Sequence, residues 1–120
     1  MTARTSFLAR MTIFLAFAAI ALLVAWTRAA HAEEAQVKID NFTFDPPVLK
    51  ANAGTVFIWT NEDDIPHTVV AASRAFKSKA LDTDEKYSFA FTTPGSYEYF
   101  CSLHPHMKAA IIVEGATSKM

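Results

Sequence analysis

From Val37 onward the chain is broken at short intervals by turn formers. Asp45-Pro46-Pro47, Asn52-Ala53-Gly54, Asn61-Glu62-Asp63-Asp64 and Thr93-Pro94-Gly95 separate short apolar runs. Punctuation this dense predicts strands, and the residues between the breaks carry the two-residue period of a pleated strand. Val37 and Ile39 alternate with Lys38 and Asp40. Phe42 and Phe44 continue on the opposite parity, which predicts a bend or bulge near Asp40-Asn41. Pro46 and Pro47 end that segment, since proline donates nothing to a ladder. Val48 to Ala51 is a second extended piece. Thr55 to Thr60 is a nearly continuous apolar run, as expected of a strand buried on both faces. His67 to Ala71 reads as a strand. Tyr87, Phe89 and Phe91 alternate with polar or small residues, Tyr97, Tyr99 and Cys101 share one face of the next strand, and Ala110 to Glu114 is the last. Only Ser73 to Lys86 resists this reading; its composition allows a helical turn without requiring one. There is no internal repeat, heptad pattern or low-complexity segment. Seven or so short strands predict an all-β two-sheet sandwich or small barrel.

The first 32 residues differ in kind. Arg4 and Arg10 give a positive start, Met11 to Trp26 carry no charge, and Ala30-His31-Ala32 precedes Glu33. That order predicts a secretory signal peptide cleaved after Ala32. The apolar run falls short of the ~20 residues that span a bilayer; retention as an uncleaved anchor is the alternative. No arginine pair indicates a twin-arginine signal, and no cysteine near the cleavage point offers a site for lipid. The expected mature chain, residues 33–120, is one domain. It carries 8 Lys and Arg against 12 Asp and Glu, a net charge near −4. Such a surface is not built to grip nucleic-acid phosphates or anionic membranes. The mature protein is expected to be a monomer that meets neither nucleic acid nor membrane.

Cys101 is the only cysteine, so no internal disulfide is possible. A free thiol in an oxidising compartment is a liability unless it is buried or bound. A buried, inert cysteine is the bland reading, and its neighbours argue against it. Cys101-Ser102-Leu103-His104-Pro105-His106-Met107 follows a strand and places Cys, His and Met at i, i+3 and i+6. A thiolate and imidazoles with a weak thioether form the donor set of an electron-transfer copper site, acceptable to both Cu(I) and Cu(II). The trigonal plane needs a second histidine. His31 leaves with the leader, and His106 would leave Met107 too little chain to reach an axial position. His67 remains, in Ile65-Pro66-His67-Thr68, with Asp63-Asp64 marking the end of the loop before it. The expected metal ligands are therefore His67, Cys101, His104 and Met107, around a single copper.

These residues resemble the cupredoxin family and, within it, the amicyanin-like group. The short Cys-x2-His-x2-Met loop carries the likeness, together with Asn41-Phe42-Thr43-Phe44, Trp59-Thr60-Asn61, Pro66-His67 and Pro94-Gly95-Ser96-Tyr97. The resemblance spans about Val37 to Glu114. It implies a Greek-key β-sandwich with copper at one end, a blue (type 1) site, and shuttling of single electrons between redox partner proteins in the bacterial periplasm. Three positions depart from the pattern: Thr68 stands where asparagine follows the remote histidine, Leu103 where proline lies two after the cysteine, and His106 where an apolar side chain is expected. Leu103 restores a backbone N–H, which is expected to point at the Cys101 sulfur beside a donor from Thr68.

Two other functions use the same or similar residues. A copper-delivery module without a dedicated redox partner has the same ligands, so the motif does not separate it from a carrier. A copper oxidase or nitrite reductase needs further histidine-rich copper sites, and only His106 is spare.

Overall fold

The chain alternates between two sheets almost strand by strand, and this weaving sets what each strand can bury. The structure, a computed structural model, describes residues 32–115. The expected leader, residues 1–32, lies outside that range except for Ala32. Eight strands follow: β1 Glu34–Asp40, β2 Thr43–Asp45, β3 Val48–Asn52, β4 Val56–Asn61, β5 Val70–Ala71, β6 Lys86–Ala90, β7 Gly95–Phe100 and β8 Lys108–Glu114. They form two four-stranded sheets, in the orders β2-β1-β4-β6 and β3-β8-β7-β5. β1 runs parallel to β4 and β3 parallel to β8, while the remaining pairs are antiparallel. The expected all-β sandwich is what the chain forms. No helix occurs among the described residues.

Alternation fills the space between the sheets. Val37 and Ile39 point inward from β1, Phe57 and Trp59 from β4, Tyr99 from β7, and Ile111 and Val113 from β8. The two layers meet through aromatic rings, with the Trp59 and Tyr99 centroids 5.6 Å apart and nearly perpendicular. Such edge-to-face contact suits the ring quadrupoles. The expectation that the Thr55–Thr60 run is buried on both faces is not met. Phe57, Trp59 and Asn61 are buried, but Val56, Ile58 and Thr60 are only half-buried. One face of a sandwich sheet meets the core and the other meets solvent.

Two further differences bear on the site. The parity switch after Asp40 is a two-residue hairpin turn rather than a bulge. Ile39 pairs with Phe44 and Asp40 with Thr43 across it, and both turn residues are left-handed, Asn41 at φ 51° and Phe42 at φ 57°. This is the backbone of a type I′ turn, which matches strand twist and ordinarily takes Asn-Gly. A side chain in that region costs about 1–2 kcal/mol, so Phe42 is an unusual occupant. The segment 73–85 has no regular structure beyond isolated bridges from His67 to Leu81 and from Val70 to Lys77. Its Phe76, Ser78 and Leu81 are buried nonetheless. Phe76 stacks on Trp59 at 5.8 Å, and burying a side chain of that size contributes about 1.5–3 kcal/mol. Core contacts thus hold this segment flat against the strands. The strand expected over His67–Ala71 shrinks to Val70–Ala71 because His67 pairs with this segment.

Candidate metal centre

Asn61, the last residue of β4, folds the loop that delivers His67. Its buried side-chain amide donates to the carbonyls of Ile65 and Leu81, both at 2.9 Å, and its oxygen accepts the Asp63 N–H at 3.0 Å. His67 then exchanges two backbone bonds with Leu81, donating at 3.1 Å and accepting at 2.7 Å. The imidazole is fully buried. Nε2 lies 2.7 Å from Asp63 Oδ2, and Nδ1 lies 3.8 Å from Cys101 Sγ. An N–H at Nε2 donating to the carboxylate leaves the Nδ1 lone pair free and aimed at the sulfur. A partner on the far nitrogen is how proteins fix the tautomer of a metal-binding histidine.

Asp63 takes more than this one donor. The Asn41 N–H donates to its Oδ1 at 2.6 Å and the Phe42 N–H to its Oδ2 at 3.0 Å. Burial works to raise its pKa, but the Phe42 and Asn41 N–H groups and His67 outweigh it, so the carboxyl sits below the usual carboxylate range. One side chain ties the β1–β2 turn to the buried imidazole. Phe42, 43% exposed, meets both histidine rings edge-to-face, with centroids 5.4 Å from His67 and 5.1 Å from His104.

The other side of the site is the hairpin between β7 and β8. Phe100 pairs with Lys108, so Cys101 and Met107 face each other where the strands end, and the Cys101 N–H donates to the Met107 carbonyl at 3.1 Å. Within the loop, the His104 N–H bonds the Cys101 carbonyl at 3.2 Å and the Met107 N–H bonds the His104 carbonyl at 2.9 Å. These turns bring His104 Nδ1 to 3.6 Å from Cys101 Sγ. Cys101 and Met107 are buried, His104 is half-buried, and Leu103, Pro105 and His106 are exposed.

Thr68 joins the two sides. Its N–H points at the Cys101 sulfur at 3.4 Å, as expected. Its hydroxyl lies 3.7 Å from the same sulfur and 2.7 Å from Ser102 Oγ, and accepts the Ser102 N–H at 2.7 Å. The second sulfur donor expected from Leu103 is not found; apart from the two imidazoles, the groups that donate to the sulfur are the N–H and hydroxyl of Thr68. The sharp turn after Cys101, closed by the His104 N–H, leaves the Leu103 N–H without that bond, and its side chain stands 52% exposed.

The structure thus gathers His67, Cys101 and His104, whose ligating atoms all lie within 4.8 Å of one another, and sets Met107 beside Cys101. A thiolate, two imidazole nitrogens and a thioether fit copper. A closed tetrahedral zinc site would take its fourth ligand from Cys, His or a carboxylate, and the nearby carboxylate of Asp63 is already turned to three N–H donors. His106 stays outside the cluster, its ring 6.4 Å from that of His104. Sequence reasoning missed the clamping role of Asp63, the placement of Phe42 and the hydroxyl of Thr68. An acidic residue four before a candidate ligand was the available signal for the first. The other two depend on which loops meet.

Residues 13–113 match the family model of a cupredoxin-like domain. The chain is 33% identical over 115 residues to amicyanin-alpha of Methylorubrum extorquens, covering 91% of this chain and 97% of that protein. Among solved structures it is similar to a purple cupredoxin from Nitrosopumilus maritimus, with a TM-score of 0.64, 29% identity, and coverage of 67% of this chain and 99% of the other. It is also similar to the copper-containing nitrite reductase of Thermus scotoductus, with a TM-score of 0.67 and 31% identity over 72% of this chain but 23% of that one.

Proposed function

This chain belongs to the cupredoxin-like family, and from that premise we propose that it carries single electrons between redox partner proteins through one copper held by His67, Cys101, His104 and Met107. The observation that carries this reading is the approach of both Nδ1 atoms to the Cys101 sulfur, at 3.8 and 3.6 Å. Bound copper supplies a one-electron Cu(I)/Cu(II) couple. The chain supplies the rest. Asp63 and Leu81 hold His67 in one place and one tautomer. Thr68 directs its N–H to the thiolate, drawing charge from it and tuning how strongly it donates. His104 is the ligand nearest solvent, and its half-buried ring, flanked by exposed Leu103 and Pro105, is the route between the site and a partner. A site whose ligands barely move between oxidation states suits rapid exchange.

The same reading takes residues 1–32 as a leader removed on export and places the mature protein in the periplasm as a monomer. The same reading makes it a carrier rather than an enzyme, supported by a match that spans 97% of amicyanin-alpha against 23% of the nitrite reductase.

Reconstitution with Cu(II) tests the proposal. The protein should turn intensely blue, Cys101→Ser should abolish the colour, and electron self-exchange followed by NMR line broadening should outpace copper loss to a chelator. A blue protein that hands over copper readily but exchanges electrons slowly would be a delivery module instead.

A further inference from the structure

Phe42 combines three properties that rarely coincide. It occupies a left-handed position, φ 57°, where a hairpin turn ordinarily takes glycine. Its side chain is 43% exposed, so burial gives little in return. Its ring nevertheless packs nearly perpendicular to both imidazoles of the site, at 88° and 85°. Backbone strain at a bulky residue beside a functional centre is the sort of outlier from which a role is properly inferred.

The two imidazoles need that ring unequally. His67 is pinned by two backbone bonds to Leu81 and by Asp63 at Nε2. His104 has two backbone bonds as well, but both lie within its own loop, to Cys101 and Met107. Among the described residues, its second ring nitrogen has no hydrogen bond, and what packs on the ring is Phe42 at 5.1 Å, His67 at 4.9 Å and, more distantly, His106 at 6.4 Å. His106 is exposed and His67 is itself a ligand. Of the aromatic side chains packed on His104 among the described residues, Phe42 alone comes from outside the ligand set and the ligand loop, and Asp63 fixes the backbone from which it projects.

We propose that Phe42 is a positioning residue of the copper centre, bracing the His104 imidazole so that its Nδ1 stays directed at the metal. This rests on the copper reading above. The left-handed turn is retained with phenylalanine because only that backbone, clamped by Asp63, projects the ring across both imidazoles.

Phe42→Gly separates bracing from folding. Glycine suits the turn, so the copper-free variant should melt at or above the wild-type temperature. The copper-loaded variant should release Cu(I) to a bathocuproine chelator about tenfold faster, the scale expected for losing an aromatic pair at each imidazole, with a displaced reduction potential. Phe42→Tyr should restore both values, and Phe42→Leu should restore neither fully. Unchanged release rate and potential in Phe42→Gly would overturn the proposal, as would Phe42→Tyr behaving like glycine. If wild type binds copper without a blue band, the copper reading falls and takes this one with it; a blue wild type matched by Phe42→Gly removes the bracing role alone.

Discussion

The His67 and His104 rings lie 4.9 Å apart, yet the chain holds them by different means. His67 is fully buried, paired through its backbone with Leu81 and capped on its far nitrogen by a carboxylate that also clamps the neighbouring turn. His104 is half-buried on the seven-residue loop 101–107 and leans on a partly exposed aromatic ring. One wall of the site is built like the core, from satisfied polar groups without solvent. The other is built like a binding surface, from short backbone bonds and apolar contacts. A carrier needs both. Under the proposed function, the first would keep the geometry constant through each cycle, and the second would let a partner come close enough to exchange an electron.

The sharpest way to break this contrast is Asp63→Asn. Three N–H donors face the carboxylate, and an amide offers one oxygen and turns its own donors toward the rest. A buried donor left unpaired costs about 1–3 kcal/mol, so the copper-free protein should lose stability of that order in urea melts. The pH dependence should change too. The carboxyl of Asp63 lies below its ordinary range. Its contribution is therefore present above the unfolded carboxylate value of about 4 and is lost as pH falls through the lower folded value. Wild type should shed this increment on acidification and Asp63→Asn should not. Equal stability and equal acid sensitivity would mean that His67 is held by Leu81 alone.

Met107→Leu probes the buried thioether whose backbone the hairpin bonds to Cys101. It keeps volume and burial while removing a weak donor. The blue colour should persist and the reduction potential should rise, by roughly 59 mV if the preference for Cu(I) grows tenfold. An unchanged potential would take Met107 out of the ligand set and leave the site three-coordinate.

Leu103→Pro should have the smallest effect. The sulfur is approached by Thr68 and not by the Leu103 N–H, so losing that N–H should leave the potential within error of wild type while copper stays bound. A clear drop would show that the loop closes differently once metal is in place, and would make the His104 wall less independent of Cys101 than it looks.

The same division decides what could be read from the sequence. The ligand loop was legible because its chemistry is local: Cys101, His104 and Met107 sit within seven residues and a hairpin does the rest. Most strands were legible because alternation is local too, though the weaving between sheets hid that β4 has a half-solvated face. The rigid wall was not legible beyond His67 itself. Asp63 looked like a loop acid, since its partners Asn41 and Phe42 lie more than twenty residues upstream. Phe42 looked like a strand residue displaced by a bulge, because Asn-Phe lacks the glycine that advertises a tight turn. Phe76 and Leu81 lay in the segment that resisted assignment, and only the assembled core explains their burial. The Leu103 expectation failed for a related reason: restoring an N–H does not fix where it points.

The parallel pairing of β1 with β4, and of β3 with β8, also sets how far each donor depends on the rest of the chain. A hairpin forms from neighbouring residues, whereas a parallel pair waits for a long loop to close. Cys101 and Met107 are joined across the β7–β8 hairpin, so their backbone pairing rests on local contacts. His67 depends on the end of β4 and on the segment carrying Leu81, which are held by contacts distant in sequence. One donor of the cluster is therefore tied to the integrity of the whole sandwich, whereas the donors of the loop are tied to a single hairpin.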